Sequence, residues 1–281
     1  MEGLLDRDLS QAPLVVLDTE TTGLWPARGH RVVEVAAVRL EGWREVASFD
    51  ALVNPGRPMD AGASRVNGIY DEDLADAPPF SSIAQPLWTL MEGAVLVAHN
   101  ARFDAAFLGM EYALLRTSPL PAPALTVSNA WLCTLQLARR LFYFESNSLR
   151  QVARSLGVRT GRSHRALNDV HTTIGIFKRM AQQMEKWHLQ TVGDLLHAQG
   201  GAIYAPQQQQ PVLPGPLADA LAQHCSLQIH YQSSSGETDR MISPLYASEQ
   251  DGTVYIVAYC HLRQAQRTFR LDRILQARLV D

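Results

Sequence analysis

The amino-acid sequence predicts an α/β domain built on a mixed sheet, followed by a small all-β domain. Three observations carry this. Strand-like runs come first, then one short apolar run, then helical patterns, the order expected of a sheet whose faces are covered by helices. A Pro-, Gly- and Gln-rich stretch interrupts the chain after Gly200. Beyond it, several short strand-like runs succeed one another.

Leu14 to Asp18, Arg31 to Leu40 and Glu45 to Val53 read as strands. The third ends at Asn54-Pro55-Gly56, a strong turn signal. Pro79 to Met91 reads as a helix, with Ile83, Leu87, Leu90 and Met91 at helical spacing. Ala94 to Ala98 is wholly apolar and short, which suits a strand inside a sheet. Phe103 to Leu115, Ala130 to Leu141, Ser148 to Leu156 and Ala166 to Met184 follow as helices. The domain has two or three layers by this reading.

Gly200 to Pro216 carries no charge and includes four consecutive glutamines, so we expect an α/β domain over 1–199, a linker over 200–216 and a β domain over 217–281. In the last, Leu227 to Tyr231, Met241 to Leu245, Val254 to Tyr259 and Thr268 to Leu271 read as strands, with a hairpin turn at Ser233-Ser234-Ser235-Gly236. Its 65 residues suit a small barrel or sandwich near the lower size for independent folding.

The 281 residues carry a net charge of −3 and a hydrophobic fraction of 46%, an ordinary composition for a protein with a buried core. Charge is unevenly spread. Arg139 to Arg179 holds nine Lys or Arg against Glu145 and Asp169, and Val254 to Arg278 holds five Arg against Asp272. Such stretches either track phosphates or are solvated helix faces. The three cysteines, Cys133, Cys225 and Cys260, have no metal spacing and no disulfide framework, which fits a reducing cytosol. The first twelve residues lack a signal-peptide core, and no apolar run is long enough to span a membrane, so a cytoplasmic protein is expected.

The chemistry starts at Leu14-Val15-Val16-Leu17-Asp18-Thr19-Glu20. Side chains alternate along a strand, so Asp18 and Glu20 share a face and Thr19 takes the other. Two like charges held together are costly to desolvate unless a cation joins them, and carboxylate oxygens suit a hard divalent ion. Asp104 follows the Ala94 to Ala98 run at a strand-to-helix junction, where open α/β sheets place ligands. His164 and Asp169 are five apart, about 500° of helix, and do not share a helical face. We therefore expect His164 in the loop before the helix and Asp169 on its second turn. Singly, Asp104 reads as a helix cap and Asp169 as a solvated residue; their order along three segments argues otherwise.

Residues 14 to about 185 resemble the DnaQ-like 3′–5′ exonucleases of the DEDDh type. The resemblance rests on Asp18-Thr19-Glu20-Thr21-Thr22-Gly23-Leu24, His99-Asn100-Ala101-Arg102-Phe103-Asp104 and His164-Arg165-Ala166-Leu167-Asn168-Asp169. Leu52-Val53-Asn54-Pro55-Gly56 and Asn67-Gly68-Ile69-Tyr70-Asp71 also follow the family pattern. Asn67 stands where many relatives have His, and Cys133-Thr134 where many have Asp-Thr. The resemblance implies a ribonuclease-H-like fold and two divalent ions, Mg²⁺ or Mn²⁺, about 3.5–4 Å apart. It implies that Asp18 bridges the ions, that Glu20 and Asp169 complete the first site, and that Asp104 holds the second ion directly or through water. His164 would take a proton from the attacking water. Thr21, Leu24, Asn100 and Phe103 would line the pocket of the terminal nucleotide.

From about residue 217 the chain resembles a WYL domain, a small SH3-like β-fold of bacterial regulators. The matching residues are Ile229-His230-Tyr231, Arg240 to Leu245, Val254 to Cys260 and Arg267 to Ile274; the namesake tripeptide is here Val254-Tyr255-Ile256. Arg240, Arg263, Arg267, Arg270 and Arg273 are expected to form a phosphate-reading surface, against the alternative that they pair with Asp239 and Asp272. Phe269 and Tyr255 are expected in the core.

The expected function is release of nucleotides from the 3′ end of single-stranded DNA, with the WYL domain gripping or guiding the strand. The alternatives are the same chemistry on RNA, and a ligand-sensing WYL regulator with an auxiliary nuclease domain. Single-stranded nucleic acid is the expected partner, DNA ahead of RNA, with no membrane. Oligomeric state and any repair or replication partner are left open.

Overall fold

The structure, a computed structural model, describes residues 3–117, 125–161, 165–206, 211–234 and 236–280. The chain forms two compact units. One comprises Met1–Gly23 and Arg31–Pro206, the other Leu24–His30 and Gln207–Asp281.

In the first unit the elements run β1 (Leu14–Thr21), β2 (Val32–Glu41), β3 (Arg44–Leu52), α1 (Ala61–Asn67), α2 (Asp71–Leu74), α3 (Phe80–Met91), β4 (Val95–Ala98), α4 (Ala101–Thr117), β5 (Trp131–Cys133), α5 (Thr134–Leu141), α6 (Leu149–Ser155), α7 (Ala166–Glu185) and α8 (Val192–Ala198). The sheet order is β3-β2-β1-β4-β5, antiparallel from β3 to β1 and parallel from β1 to β5. This mixed sheet flanked by helices is the architecture the sequence resemblance implies.

The alternation of β1 sorts its side chains between two cores. Leu14 and Val16 pack with residues of α5, α6, α7 and α8, whereas Val15 and Leu17 pack with residues of α3 and α4. The domain therefore has three layers. Both faces of the central strands are covered, which is why Leu14–Leu17 and Val95–Ala98 are continuous apolar runs. β3 lies at an edge, and Arg44 to Ser48 are exposed there, charges that blunt a free edge.

One expectation is corrected. Ala130 to Leu141 is not a single helix, because Trp131-Leu132-Cys133 is a buried strand paired in parallel with Leu96-Val97-Ala98. Three apolar residues carry no readable period, and the helix after them supplied the only pattern. The short helices α1, α2 and α8 are also additions to the sequence reading. The packed part of this unit continues into the uncharged stretch, where Ile203 and Ala205 are buried with Trp131.

The second unit contains α9 (Gly215–Gln223), β6 (Leu227–Ser233), β7 (Gly236–Gln250), β8 (Thr253–Cys260), β9 (Ala265–Arg270) and β10 (Ile274–Leu279). Its antiparallel sheet has the order β10-β6-β7-β8-β9. Leu217 and Ala220 of α9 cover Ile229, Ile242, Ile256 and Phe269. The sequence reading lacks α9 and β10. Arg278 and the polar positions around it hide the period of β10, which leaves Leu275 and Leu279 exposed. Within this unit, Ser248 Oγ donates to Ala27 O at 2.6 Å and Thr268 Oγ1 to Arg28 O at 2.6 Å. Among the described residues no helix is long and apolar enough to cross a membrane.

Gly175, in the middle of α7, lies against Val158, whose Cγ1 would be 2.6 Å from a Cβ at that position. Gly175→Ala should destabilise the fold by about 1–3 kcal/mol through overpacking, in spite of the better helix propensity of alanine. Urea unfolding of Gly175→Ala, Val158→Ala and the double variant checks this. The double variant should be more stable than the sum of the single effects, and simple additivity would contradict the contact.

Candidate active site

β1 delivers Asp18 and Glu20 to the face that α7 covers, in register with Leu14 and Val16. α7 brings Asp169 to the same place, in its first turn and not the second as expected. Carboxylate oxygens of Asp18, Glu20 and Asp169 all lie within 4.8 Å of one another, with Asp18 and Glu20 half-buried and Asp169 buried.

Thr19 points to the opposite face, towards α4. Its backbone N–H and its hydroxyl both donate to Oδ1 of Asp104, at 3.1 and 2.8 Å. Asp104 is therefore not among the three clustered acids. It reaches the end of β1 from the other side of the sheet and is oriented by the residue between the other two. Asp104 sits in the first turn of α4, directly after β4.

Burial pushes Asp18, Glu20 and Asp104 up, and repulsion from neighbouring acids adds to it at Asp18 and Glu20. Burial raises Asp18 well above the ordinary aspartate range, and Asp104, Glu20, Asp169 and Glu34 add to it. Burial, then Asp169, Glu34 and Asp104, push Glu20 up to about 8, with a hydrogen bond from Asn67 pulling the other way. Burial pushes Asp104 up to about 7 against the two hydrogen bonds from Thr19. An oxygen-only donor set that repels itself fits a divalent cation, which neutralises the charge that burial penalises.

Two residues that the sequence reading did not assign to the site organise it. Glu34 lies opposite Glu20 in the β1–β2 register and is almost fully buried. Its Oε1 accepts from Arg165 Nε and Nη2 at 3.0 and 2.8 Å, and its Oε2 accepts from Ala166 N–H at 3.0 Å. A carboxylate at this helix start satisfies a free N–H and complements the helix dipole, which anchors α7 and hence Asp169. The signal was a lone acid in the apolar run Val32-Val33-Glu34-Val35. Asn67, read only as a departure from the family, is buried and donates to Thr21 O at 3.4 Å as well as bonding Glu20. At the other end of the turn after β1, Arg31 donates to both carboxylate oxygens of Glu111, at 2.7 and 2.6 Å.

Thr21 is buried, and its hydroxyl donates to Gly23 O at 2.7 Å, so it braces the turn after β1. Leu24 belongs to the second unit and is 66% exposed. Asn100 is exposed at the start of α4, where its carbonyl accepts from Phe103 N–H. Phe103 is half-buried, with its ring centroid 4.8 Å from that of Phe107. His99 bonds Thr134 Oγ1 and Asn147 O, each at 2.9 Å, and burial lowers its pKa, so it ties β4 to α5 as a neutral ring. His164 lies outside the described residues.

In the second unit the five arginines are not gathered on one face. Arg267 and Arg270 are three apart on β9 and point to opposite faces. Arg270 pairs with Asp272 through two bonds of 3.0 and 2.7 Å. Arg240 donates to Thr238 Oγ1, while Arg263 and Arg273 are exposed in a turn and a short 3-10 helix. Phe269 and Tyr255 are buried, and Tyr259 is 40% exposed.

Residues 15–177 match the model of the exonuclease family, and residues 214–279 match that of the WYL domain. A DNA polymerase III subunit epsilon-like protein of Rhodobacter capsulatus is 37% identical over 198 residues, 69% of this chain and 27% of that protein. The 3′–5′ exonuclease DinG of Bacillus subtilis is 29% identical over 188 residues, 66% of this chain and 19% of that protein. The chain thus spans about a quarter of the first relative and about a fifth of the second. Among solved structures, Exonuclease X in complex with 5′ overhanging duplex DNA superposes with a TM-score of 0.52 at 26% identity, covering 66% of this chain and 99% of that one.

Glu20 ionises near 4.3 in an unfolded chain and at about 8 in the fold, so between those values the metal-free folded protein holds more protons than the unfolded one. Stability is therefore lost as pH rises through this window, and the loss is complete above about pH 8. Glu20→Gln should raise the melting temperature of the EDTA-treated protein by several degrees at pH 8.5 and leave it nearly unchanged at pH 4.5. An equal effect at both pH values, read by differential scanning calorimetry, would contradict the repulsion.

Proposed function

The chain belongs to the DnaQ-like exonuclease family and carries a C-terminal WYL domain, and from that premise we propose that it releases nucleotides from the 3′ end of single-stranded DNA by phosphodiester hydrolysis. The observation that carries this reading is the convergence of Asp18, Glu20 and Asp169 at the end of β1, with Asp104 arriving from the other face of the sheet. The DNA preference draws on relatives: the R. capsulatus protein is named for a DNA polymerase subunit, and Exonuclease X is bound to DNA.

In this proposal Asp18, Glu20 and Asp169 would hold one Mg²⁺ or Mn²⁺ ion, and Asp18 with Asp104 a second. Such ions supply positive charge at the reacting phosphodiester. Thr19 holds the Asp104 carboxylate in one orientation through its two hydrogen bonds. Glu34 sets the depth of α7, and with it the position of Asp169. His164, two residues before α7 in the sequence, is assigned to take a proton from the attacking water, a task suited to an imidazole. Thr21, Asn100 and Phe103 would line the pocket of the terminal nucleotide. The exonuclease domain is assigned through about residue 206, beyond the expected boundary at 199 because Ile203 and Ala205 pack with Trp131, and the WYL domain from about 214, and the last is assigned to guiding nucleic acid.

The test is product analysis on 5′-labelled single-stranded DNA and RNA of identical sequence, with Mg²⁺ or Mn²⁺. A ladder shortening from the 3′ end of the DNA, at least 100-fold slower in Asp18→Ala, supports the proposal. A ladder on RNA alone would reassign the substrate. Folded protein that cuts neither polymer would overturn the assignment. Separately, Glu34→Gln should slow the reaction by about 10-fold or more through a misplaced Asp169, as read in kcat with KM little changed.

A further inference from the structure

The first unit carries a second cluster of like charges. α6 presents Arg150 and Arg154 four residues apart on its exposed side, while Val152 and Ala153 are buried behind them. The chain then turns back, and Arg159 and Thr160 close an open cleft of about 430 Å³ lined by Arg150, Arg154, Val158, Arg159 and Thr160. Among the described residues no acidic side chain lines it. Guanidiniums gathered around one opening repel weakly, and an anion beside Arg154 and Arg159 relieves that repulsion. The planar guanidinium matches the paired oxygens of a phosphate, and an open cleft admits a continuous backbone.

The position of the cleft relates it to the acids. Val158 packs against Gly175 of α7, and Gly161 stands against the side chain of Asn168, the neighbour of Asp169. The turn therefore runs along α7 for about seven residues, on the order of 10 Å, toward the carboxylate cluster. This is the spacing of a few nucleotides, not of the reacting phosphate itself.

We propose that Arg154 and Arg159, in the cleft that Arg150 also lines, form a subsite for the phosphodiester backbone of the substrate strand, a few nucleotides upstream of the 3′ end. The inference rests on the nuclease reading for the identity of the strand, and its test is a binding measurement that does not need turnover. A 5′-fluorescein-labelled 20-nucleotide single strand is titrated with the full-length protein in EDTA, over a range of salt concentrations, by anisotropy. Each neutralised phosphate contact contributes about 0.7 to the slope of log K against log salt. Arg154→Gln/Arg159→Gln should weaken binding about 10-fold or more at low salt and reduce the slope by roughly 1.4. Arg44→Gln/Arg65→Gln, with the same change in net charge outside the cleft, is the control. Both variants should melt like the wild type. An unchanged slope in the cleft variant, or an equal fall in the control, overturns the subsite. A wild type that binds with the expected slope but cuts nothing would sink the nuclease reading and leave the subsite standing.

Discussion

Three carboxylates held within 4.8 Å of one another repel, and the rest of the first unit is what holds them there. The frame is β1, buried on both sides. Its alternation sends Asp18 and Glu20 to the α7 face and Thr19 to the α4 face, and each face has its own apolar core. The strand cannot twist away from the repulsion without unpacking Leu14 to Leu17. The same alternation explains why Asp169 joins the cluster while Asp104 is braced by Thr19.

The buried acids near this end of the sheet divide by partner. Glu34 and Glu111 each have an arginine and a backbone N–H, and both are structural pins: one seats α7, the other anchors the strand that follows the turn after β1. Removing one partner of such a pair leaves a buried charge exposed to low dielectric, which is far more destabilising than the pair is stabilising. Burial and neighbouring acids push Asp18 and Glu20 up, and burial pushes Asp104 up. That contrast separates acids that build the fold from acids that wait for a cation, and burial alone does not draw it.

Much of this was legible before any coordinates. The shared face of Asp18 and Glu20 follows from period two, and the long strands and helices follow from periodicity and from the turn at Asn54-Pro55-Gly56. What was not legible is long-range. Nothing local says that Thr19 reaches Asp104, 85 residues away, or that Glu34 accepts from Arg165 and Ala166, 131 and 132 residues on. β5 was absorbed into a helix because three residues show no period, and β10 was hidden by its polar positions. The arginines of the second unit share a composition but not a face, since Arg267 and Arg270 are an odd number of positions apart. Conversely the basic stretch around α6 was visible as composition, and only the fold shows three of its arginines around one cleft.

The central claim is that the repelling acids are a cation site, and calorimetric titration of Mn²⁺ into EDTA-treated, dialysed protein tests it most directly. Near pH 7.5 the cluster still holds protons, because Glu20 is pushed up to about 8. Wild-type protein should bind Mn²⁺ with heats that depend on the ionisation enthalpy of the buffer, the mark of proton release. Asp18→Asn should bind at least 10-fold more weakly and release fewer protons. Equal affinity in the two proteins, or binding with no proton release, would contradict the account.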